Sequence, residues 1–175
     1  MTEQEKLMYE ILGQITTSDI PIVFKGGLIT KLILNESGLS SVQRTTKDID
    51  ANWIGQPPSM DYLVDSLNNS FGDLQRCYKA VASRQYGEKQ SAGISVIDKN
   101  TGRKFITMDI DIKPLIDSKT YYYEQTKIRG VLPNEILADK ICVLSGEAIY
   151  KNRAKDVLDL SLIHISEPTR LRRIS

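Results

Sequence analysis

The sequence predicts an α+β fold in which a mixed β-sheet is flanked by helices. Apolar residues recur at helical spacing near the N-terminus and again after Pro133, whereas residues 48–54 and 105–112 alternate between apolar and polar residues. The first pattern is typical of amphipathic helices and the second of half-buried strands. Helices and strands alternate in the first half of the chain, and several consecutive strands follow. A mixed sheet covered by helices would bury the apolar faces of both kinds of element.

The first half of the chain contains three predicted helices and two predicted strands. In chain order these are a helix over residues 3–16, a strand over 22–24, a helix over 28–34, a strand over 48–54 and a helix from residue 60. Gly26 and Gly27 separate the first strand from the second helix. Ser59 is the predicted N-cap of the third helix, because its hydroxyl can accept from a free backbone N–H.

The second half predicts strands first and helices afterwards. The predicted elements are strands over residues 74–86, 91–97 and 105–112, a hairpin turn over 98–102, a helix from Pro133 to about residue 150 and a last helix from about residue 153. Residues 121–131 favour neither helix nor strand.

The composition is that of an ordinary globular protein of one domain. Hydrophobic residues make up 41% and charged residues 26% of the 175 positions, and the net charge is +1, so no overall charge points to nucleic acid. The sequence shows neither a membrane-spanning apolar run nor a signal-peptide pattern, which favours the cytoplasm. Cys77 and Cys142 have no metal or redox spacing and are predicted to be small buried residues.

The C-terminal tail differs from the rest of the chain. Residues 160–170 read LSLIHISEPTR, which matches one translated frame of a widely used transposase sequencing adaptor. Helical periodicity stops at Asp159, so we expect the natural sequence to end there and residues 160–175 to be adaptor-derived. His164, the only histidine, lies in this tail. No histidine-dependent mechanism is therefore expected.

The Gly26-Gly27 pair is the first candidate for chemistry. Glycines between a strand and a helix let a phosphate approach the backbone and the helix N-terminus. A plain tight turn or a close helix–strand contact explains the pair equally well. The pair is not a Walker loop, because no G-x-x-x-x-G-K-[ST] pattern is present.

Paired carboxylates are the second candidate. On a strand, Asp48 and Asp50 point to the same face, about 6–7 Å apart along the backbone. Asp109 and Asp111 repeat the pattern on a later strand, so the four carboxylates converge if the two strands are neighbours. Carboxylates with nucleotide phosphates are ligands of Mg²⁺, and two such ions can promote an in-line displacement. The alternative is a solvated strand face.

Several motifs taken together resemble a known family. FKGG at residues 24–27 and RTTKDID at residues 44–50 resemble the signature of AbiEii/AbiGii toxins, and EILADKICVLSGEAIYKNRAKDVLDL, from residue 135 onwards, resembles their helical motif. The order strand, Gly-Gly, helix, Asp-x-Asp and third Asp also resembles the polymerase-β-type nucleotidyltransferase superfamily. The resemblance implies a nucleotidyltransferase-type sheet, with residues 1–130 as the core and 131–159 as the start of a truncated C-terminal helical region.

The resemblance implies a role for each matching residue. The implied metal ligands are Asp48, Asp50 and Asp109, with Asp111 in reserve. The implied catalytic residues are Asp48, Asp50, Asp109, Lys140 and Asp156, and the implied nucleotide-binding residues are Lys25, Gly26, Gly27, Arg44 and Arg153. Asp156 would orient Lys140 or act as a base. Alternatively, Lys140 and Arg153 lie on a solvated helix face and pair with Asp139 or Glu147. Arg44 binds a phosphate or pairs with Asp48.

The implied reaction is the transfer of a nucleotide from a nucleoside triphosphate to an acceptor, with Mg²⁺ or Mn²⁺ as cofactor. Members of this family are the enzymatic half of type IV toxin–antitoxin and abortive-infection systems. The resemblance implies tRNA 3′ ends as the acceptor for some of them. The implied partner is a cognate antitoxin that acts indirectly or through weak contact. The alternatives are an antibiotic-type adenylyltransferase and a catalytically inactive, truncated nucleotide- or RNA-binding module.

Overall fold

A computed structural model describes residues 2–39, 46–87, 90–145, 157 and 161. In chain order the elements are α1 (Glu3–Thr17), β1 (Ile22–Lys25), α2 (Gly26–Glu36), β2 (Asp48–Ile54), α3 (Met60–Ser70), a short 3-10 helix (Gly72–Arg76), β3 (Tyr78–Arg84), β4 (Ser91–Asp98), β5 (Lys104–Lys113), β6 (Ser118–Tyr123), β7 (Thr126–Val131) and α4 (Pro133–Ser145). The α+β fold predicted from the sequence is confirmed.

Within the described residues, seven strands form one mixed sheet in the order β3-β4-β5-β2-β1-β7-β6. Strand β2 pairs in parallel with β5 and antiparallel with β1, while β1 pairs in parallel with β7. The β3–β4, β4–β5 and β6–β7 pairs are antiparallel. The two strands with Asp-x-Asp motifs are therefore neighbours in the middle of the sheet.

The core follows from the alternation of the strands and the stripe of α1. On β2, Ile49 and Ala51 are fully buried, and on β5 the same holds for Met108 and Ile110. Burial of each isoleucine or methionine side chain contributes about 1.5–3 kcal/mol, which fixes the register of both strands. The Thr2 hydroxyl caps α1 by accepting from the backbone N–H of Glu5 at 3.2 Å.

Three predicted elements differ from the structure. The predicted strand over residues 74–86 is wrong at its start, because Gly72 has φ +53 and begins a 3-10 helix, so β3 starts only at Tyr78. The ambiguous residues 121–131 belong to the β6–β7 hairpin, whose turn places Glu124 at φ +51. Helix α2 begins at Gly26 and not after the glycines.

Both cysteines are exposed, so the prediction of buried cysteines is wrong. Cys77 follows the 3-10 helix at the surface, and Cys142 lies on an exposed part of α4.

Helix α4 is described as far as Ser145. The predicted end of this helix near residue 150, the helix from about residue 153 and the tail from residue 160 lie outside the described residues, apart from positions 157 and 161. Within the described residues, the helices are too short or too polar to cross a membrane.

Candidate active site

The pairing of β2 with β5 brings the Asp-x-Asp motifs onto one face of the sheet. Asp50 pairs in register with Asp109, and the next position on that face pairs Asn52 with Asp111. Side chains at paired positions of parallel neighbours point to the same side, so Asp48, Asp50, Asp109 and Asp111 share a face. Asp48 is exposed at the start of β2, whereas Asp50 is mostly buried.

The Gly-Gly pair lies directly beside Asp50. Lys25 of β1 is in register with Asp50, and α2 begins at the next residue. Gly26 has φ +69, and a Cβ on it would lie 2.8 Å from Asp50 Cγ. A Cβ on Gly27 would lie 2.7 Å from Thr46 Oγ1. Both glycines therefore allow the first turn of α2 to approach the β2 segment that carries the carboxylates.

Asp50 has the most perturbed acidity of the cluster. Burial, which is the largest effect, raises its pKa together with the charges of Asp109, Asp48 and Asp111, and against the opposing effect of Lys25 the result is a pKa of about 6. A carboxyl group that resists ionisation among other carboxylates is stabilised as an anion by an added cation. The electrostatics at Asp50 therefore favour the binding of a positive ion.

Each carboxylate of the second pair contacts a different cation, Asp111 the ammonium of Lys25 and Asp109 the guanidinium of Arg84. The Lys25 ammonium donates to Asp111 Oδ2 at 2.7 Å and lies 3.8 Å from Asp139 Oδ2 of α4. Burial raises the pKa of Asp111, but the hydrogen bond and charge of Lys25, with a hydrogen bond from Ser91, hold it below its usual range.

Arg84 of β3 forms an ion pair with Asp109. Its Nη2 donates to Asp109 Oδ1 at 2.8 Å and to Ser91 Oγ at 3.0 Å. No sequence pattern indicated Arg84 or Ser91, because a lone arginine and a lone serine carry no motif spacing. Arg84, Ser91 and Asp111 also line an open cleft of about 680 Å³ beside the ends of β3 and β5.

The donors suit a hard divalent cation in kind, because carboxylate oxygens are the ligands that Mg²⁺ and Mn²⁺ prefer. Within the described part of the chain, no three of these carboxylates already surround a common point at metal-ligand distance. The Asp109 carboxylate is engaged by Arg84 and that of Asp111 by Lys25. Within the part of the chain that the structure describes, Asp48 and Asp50 form no ion pair of this kind.

The remaining predicted site residues are only partly placed. Lys140 is half-buried on α4, the helix that also carries Asp139 close to Lys25. Arg44, Arg153 and Asp156 lie outside the described residues. Asn52, which the sequence did not single out, is fully buried on the carboxylate face. Among the described residues, neither polar atom of its amide has a hydrogen-bond partner.

Comparisons with known proteins identify a family for the chain. The family model described as "Nucleotidyl transferase AbiEii toxin, Type IV TA system" matches residues 10–173. No curated protein sequence matches the chain.

Two solved structures show a similar fold, and a third aligns more weakly. An antigenic nucleotidyltransferase-like protein from Paracoccidioides brasiliensis aligns with a TM-score of 0.61 at 16% identity, over 92% of this chain and 75% of that one. ANT(2″)-Ia in complex with adenylyl-2″-tobramycin aligns with a TM-score of 0.56 at 13% identity, over 99% of this chain and all (100%) of that one. MenT4, a nucleotidyltransferase toxin from Mycobacterium tuberculosis H37Rv, gives 0.47 at 17% identity, over 80% of this chain and 51% of that one. With the match over residues 10–173, the chain belongs to the family of nucleotidyl transferase AbiEii toxins of type IV toxin–antitoxin systems.

Proposed function

We propose that the chain transfers a nucleotide from a nucleoside triphosphate to an acceptor in a reaction that depends on a divalent cation. Asp48, Asp50 and Asp109 hold the cation. The observation that carries the proposal is the register of Asp50 with Asp109 on neighbouring strands, beside the glycine N-terminus of α2. Mg²⁺ or Mn²⁺ bound there supplies charge neutralisation at the triphosphate and at the attacking oxygen.

The first turn of α2 binds the triphosphate in this proposal. The first N–H groups of a helix have no partner within it, and they carry the positive end of the helix dipole. Gly26 and Gly27 expose these groups, because neither has a side chain in the way. Lys25 lies next to them and adds a positive charge once its contact with Asp111 opens.

The helical segments supply the other charges. Lys140 lies on α4, which reaches the site through the approach of Asp139 to Lys25. We assign Lys140, Arg153 and Arg44 to the neutralisation of phosphate charge and Asp156 to the orientation of Lys140 or to proton removal. Asp111 remains the reserve for the third carboxylate. Both carboxylates contact a cation, but the Lys25 side chain that engages Asp111 is 17% exposed and the Arg84 side chain that engages Asp109 is 57% exposed, so Asp109 is the easier one to release.

We propose the 3′ end of tRNA as the acceptor and the cytoplasm as the compartment, since tRNA and nucleoside triphosphates meet there. Family membership implies a cognate antitoxin. We propose that it acts indirectly or through weak contact, without an obligate complex.

A second candidate is adenylyl transfer to a small antibiotic. It is favoured by the fold shared with ANT(2″)-Ia, whose solved complex contains adenylyl-2″-tobramycin and which this chain matches over its full length. An inactive module that binds nucleotide or RNA without turnover is the third.

The decisive experiment supplies purified protein with Mg²⁺, each radiolabelled nucleoside triphosphate in turn, and two acceptors, total tRNA and tobramycin. The control is the double variant Asp48→Asn/Asp50→Asn, and the matched control is Asp65→Asn, which removes an exposed carboxylate on α3. Label in RNA with wild type and Asp65→Asn, but not with the double variant, supports the proposal. Label in tobramycin only supports the second candidate. Nucleotide binding without label in either acceptor supports the third.

A further inference from the structure

Arg84 reaches the cluster from the edge of the sheet, across an intervening strand. Gly93 of β4 pairs in register with Arg84 on one side and with Asp109 on the other. A Cβ on Gly93 would lie only 3.0 Å from Arg84 Cβ. The absent side chain leaves the space across β4 through which the guanidinium reaches Asp109.

The contact is one that another cation can replace. Arg84 and Asp109 side chains are 57% and 43% exposed, so water screens their attraction. The guanidinium occupies Asp109 Oδ1, one of the oxygens that a divalent cation would need. The Ser91 hydroxyl holds the same Nη2 at 3.0 Å and so fixes the guanidinium beside this oxygen.

We infer that Arg84 is a positioning residue that competes with the divalent cation for Asp109, so that the metal binds only as the ion pair between Arg84 and Asp109 opens. This inference rests on the proposed role of Asp109 as a metal ligand. Competition by Arg84 explains why the carboxylates lie on one face of the sheet and yet no three of the described ones surround a common point. The ion pair lowers the metal affinity and spares Asp109 from standing unpaired among like charges.

The test is the affinity of the full chain for Mn²⁺ alone, measured by the loss of the free Mn²⁺ electron paramagnetic resonance signal. Arg84→Gln is expected to bind Mn²⁺ about two- to fivefold more tightly, which is the range that an exposed ion pair allows. Arg84→Lys, which keeps the charge, is expected to return the Kd most of the way to the wild-type value. Lys113→Gln removes a cation that lines the same cleft, whereas the described ion-pair partner of Asp109 is Arg84, so a much smaller change is expected.

A double-mutant cycle separates this inference from the proposed function. Asp109→Asn is expected to weaken Mn²⁺ binding, and Arg84→Gln is expected to have no further effect in that background. If Asp109→Asn leaves the Kd unchanged, the proposed metal site itself fails. If Asp109→Asn weakens binding but Arg84→Gln does not tighten it, or if Lys113→Gln tightens it equally, only the role of Arg84 is overturned.

Discussion

The Asp50 carboxylate packs against the backbone of Gly26, the first residue of α2. The approach is so close that a Cβ on Gly26 would lie 2.8 Å from Asp50 Cγ and 2.9 Å from Asp50 Cβ. Gly26 also has φ +69, a conformation that L side chains rarely adopt. The glycine is therefore needed for its backbone conformation and for the position of the carboxylate.

Gly26→Ala is expected to destabilise the fold and to abolish nucleotide transfer. Gly102→Ala is the matched control, since Gly102 has φ +68 but open space around its Cβ position. The control should cost only the backbone term of about 1 kcal/mol. Urea unfolding of both variants measures the difference, and equal losses of stability would contradict a close approach of Asp50.

Asp50→Asn is expected to stabilise the protein while it removes activity. Because the folded-state pKa of Asp50 is raised to about 6, folding favours its protonated form. The stabilisation by that proton is full below pH 4 and is lost as the pH rises through about 6. At pH 8, with metal chelated, Asp50→Asn should gain on the order of 2 kcal/mol over wild type, and the gain should vanish towards pH 4. Urea titrations across this range measure it, with Asp65→Asn as a control that should show no such trend.

Asp109→Asn and Asp111→Asn are expected to differ in their effect on turnover. Because Asp109 is a proposed metal ligand, Asp109→Asn should lower kcat about 100-fold or more. Asp111 acts through Lys25 and should cost roughly tenfold, which is typical of residues that hold a ligand in place. Single-turnover rates under saturating Mg²⁺ decide between them, and the reverse ranking would make Asp111 the third carboxylate.

Asn52 offers a test of burial without a partner. Asn52→Val should raise the free energy of unfolding by about 1–2 kcal/mol, because an unsatisfied amide leaves the core and a good strand former enters. Asn52→Asp should lower it, because it adds a buried charge in register with Asp111. A loss of stability in the valine variant would show that the amide has a partner, such as a buried water.

Local patterns predicted much of the fold. Strand β2 has the predicted bounds, because the alternation of residues 48–54 reports directly which face is buried. The start of β3 was missed because Leu74 continues an apolar pattern that the 3-10 turn after Phe71 interrupts. The β6–β7 hairpin was ambiguous since its turn depends on Glu124 at positive φ, which no glycine or asparagine announces.

Only the short motifs of the candidate site could be predicted from the sequence. Glycine pairs and Asp-x-Asp motifs are visible as spacings within one segment. The contacts of Lys25 with Asp111 and of Arg84 with Asp109 join segments far apart in the chain. Such pairs depend on the strand order of the sheet, which no local periodicity encodes. The catalytic, metal-binding and nucleotide-binding roles of the site residues stay predictions, and Arg44, Arg153 and Asp156 also lie outside the described residues.

The parallel pairing of β2 with β5 has a consequence for the synthesis of this protein. A ribosome that has translated the message only as far as Gly102 has produced β1, α2 and β2, but not the strand that carries Asp109. The nascent chain holds half of its carboxylates without their neighbours until β5 is made and pairs with β2. A translation product that ends before β5 therefore lacks Asp109 and Asp111, and its Asp48 and Asp50 have no carboxylate partners on a neighbouring strand.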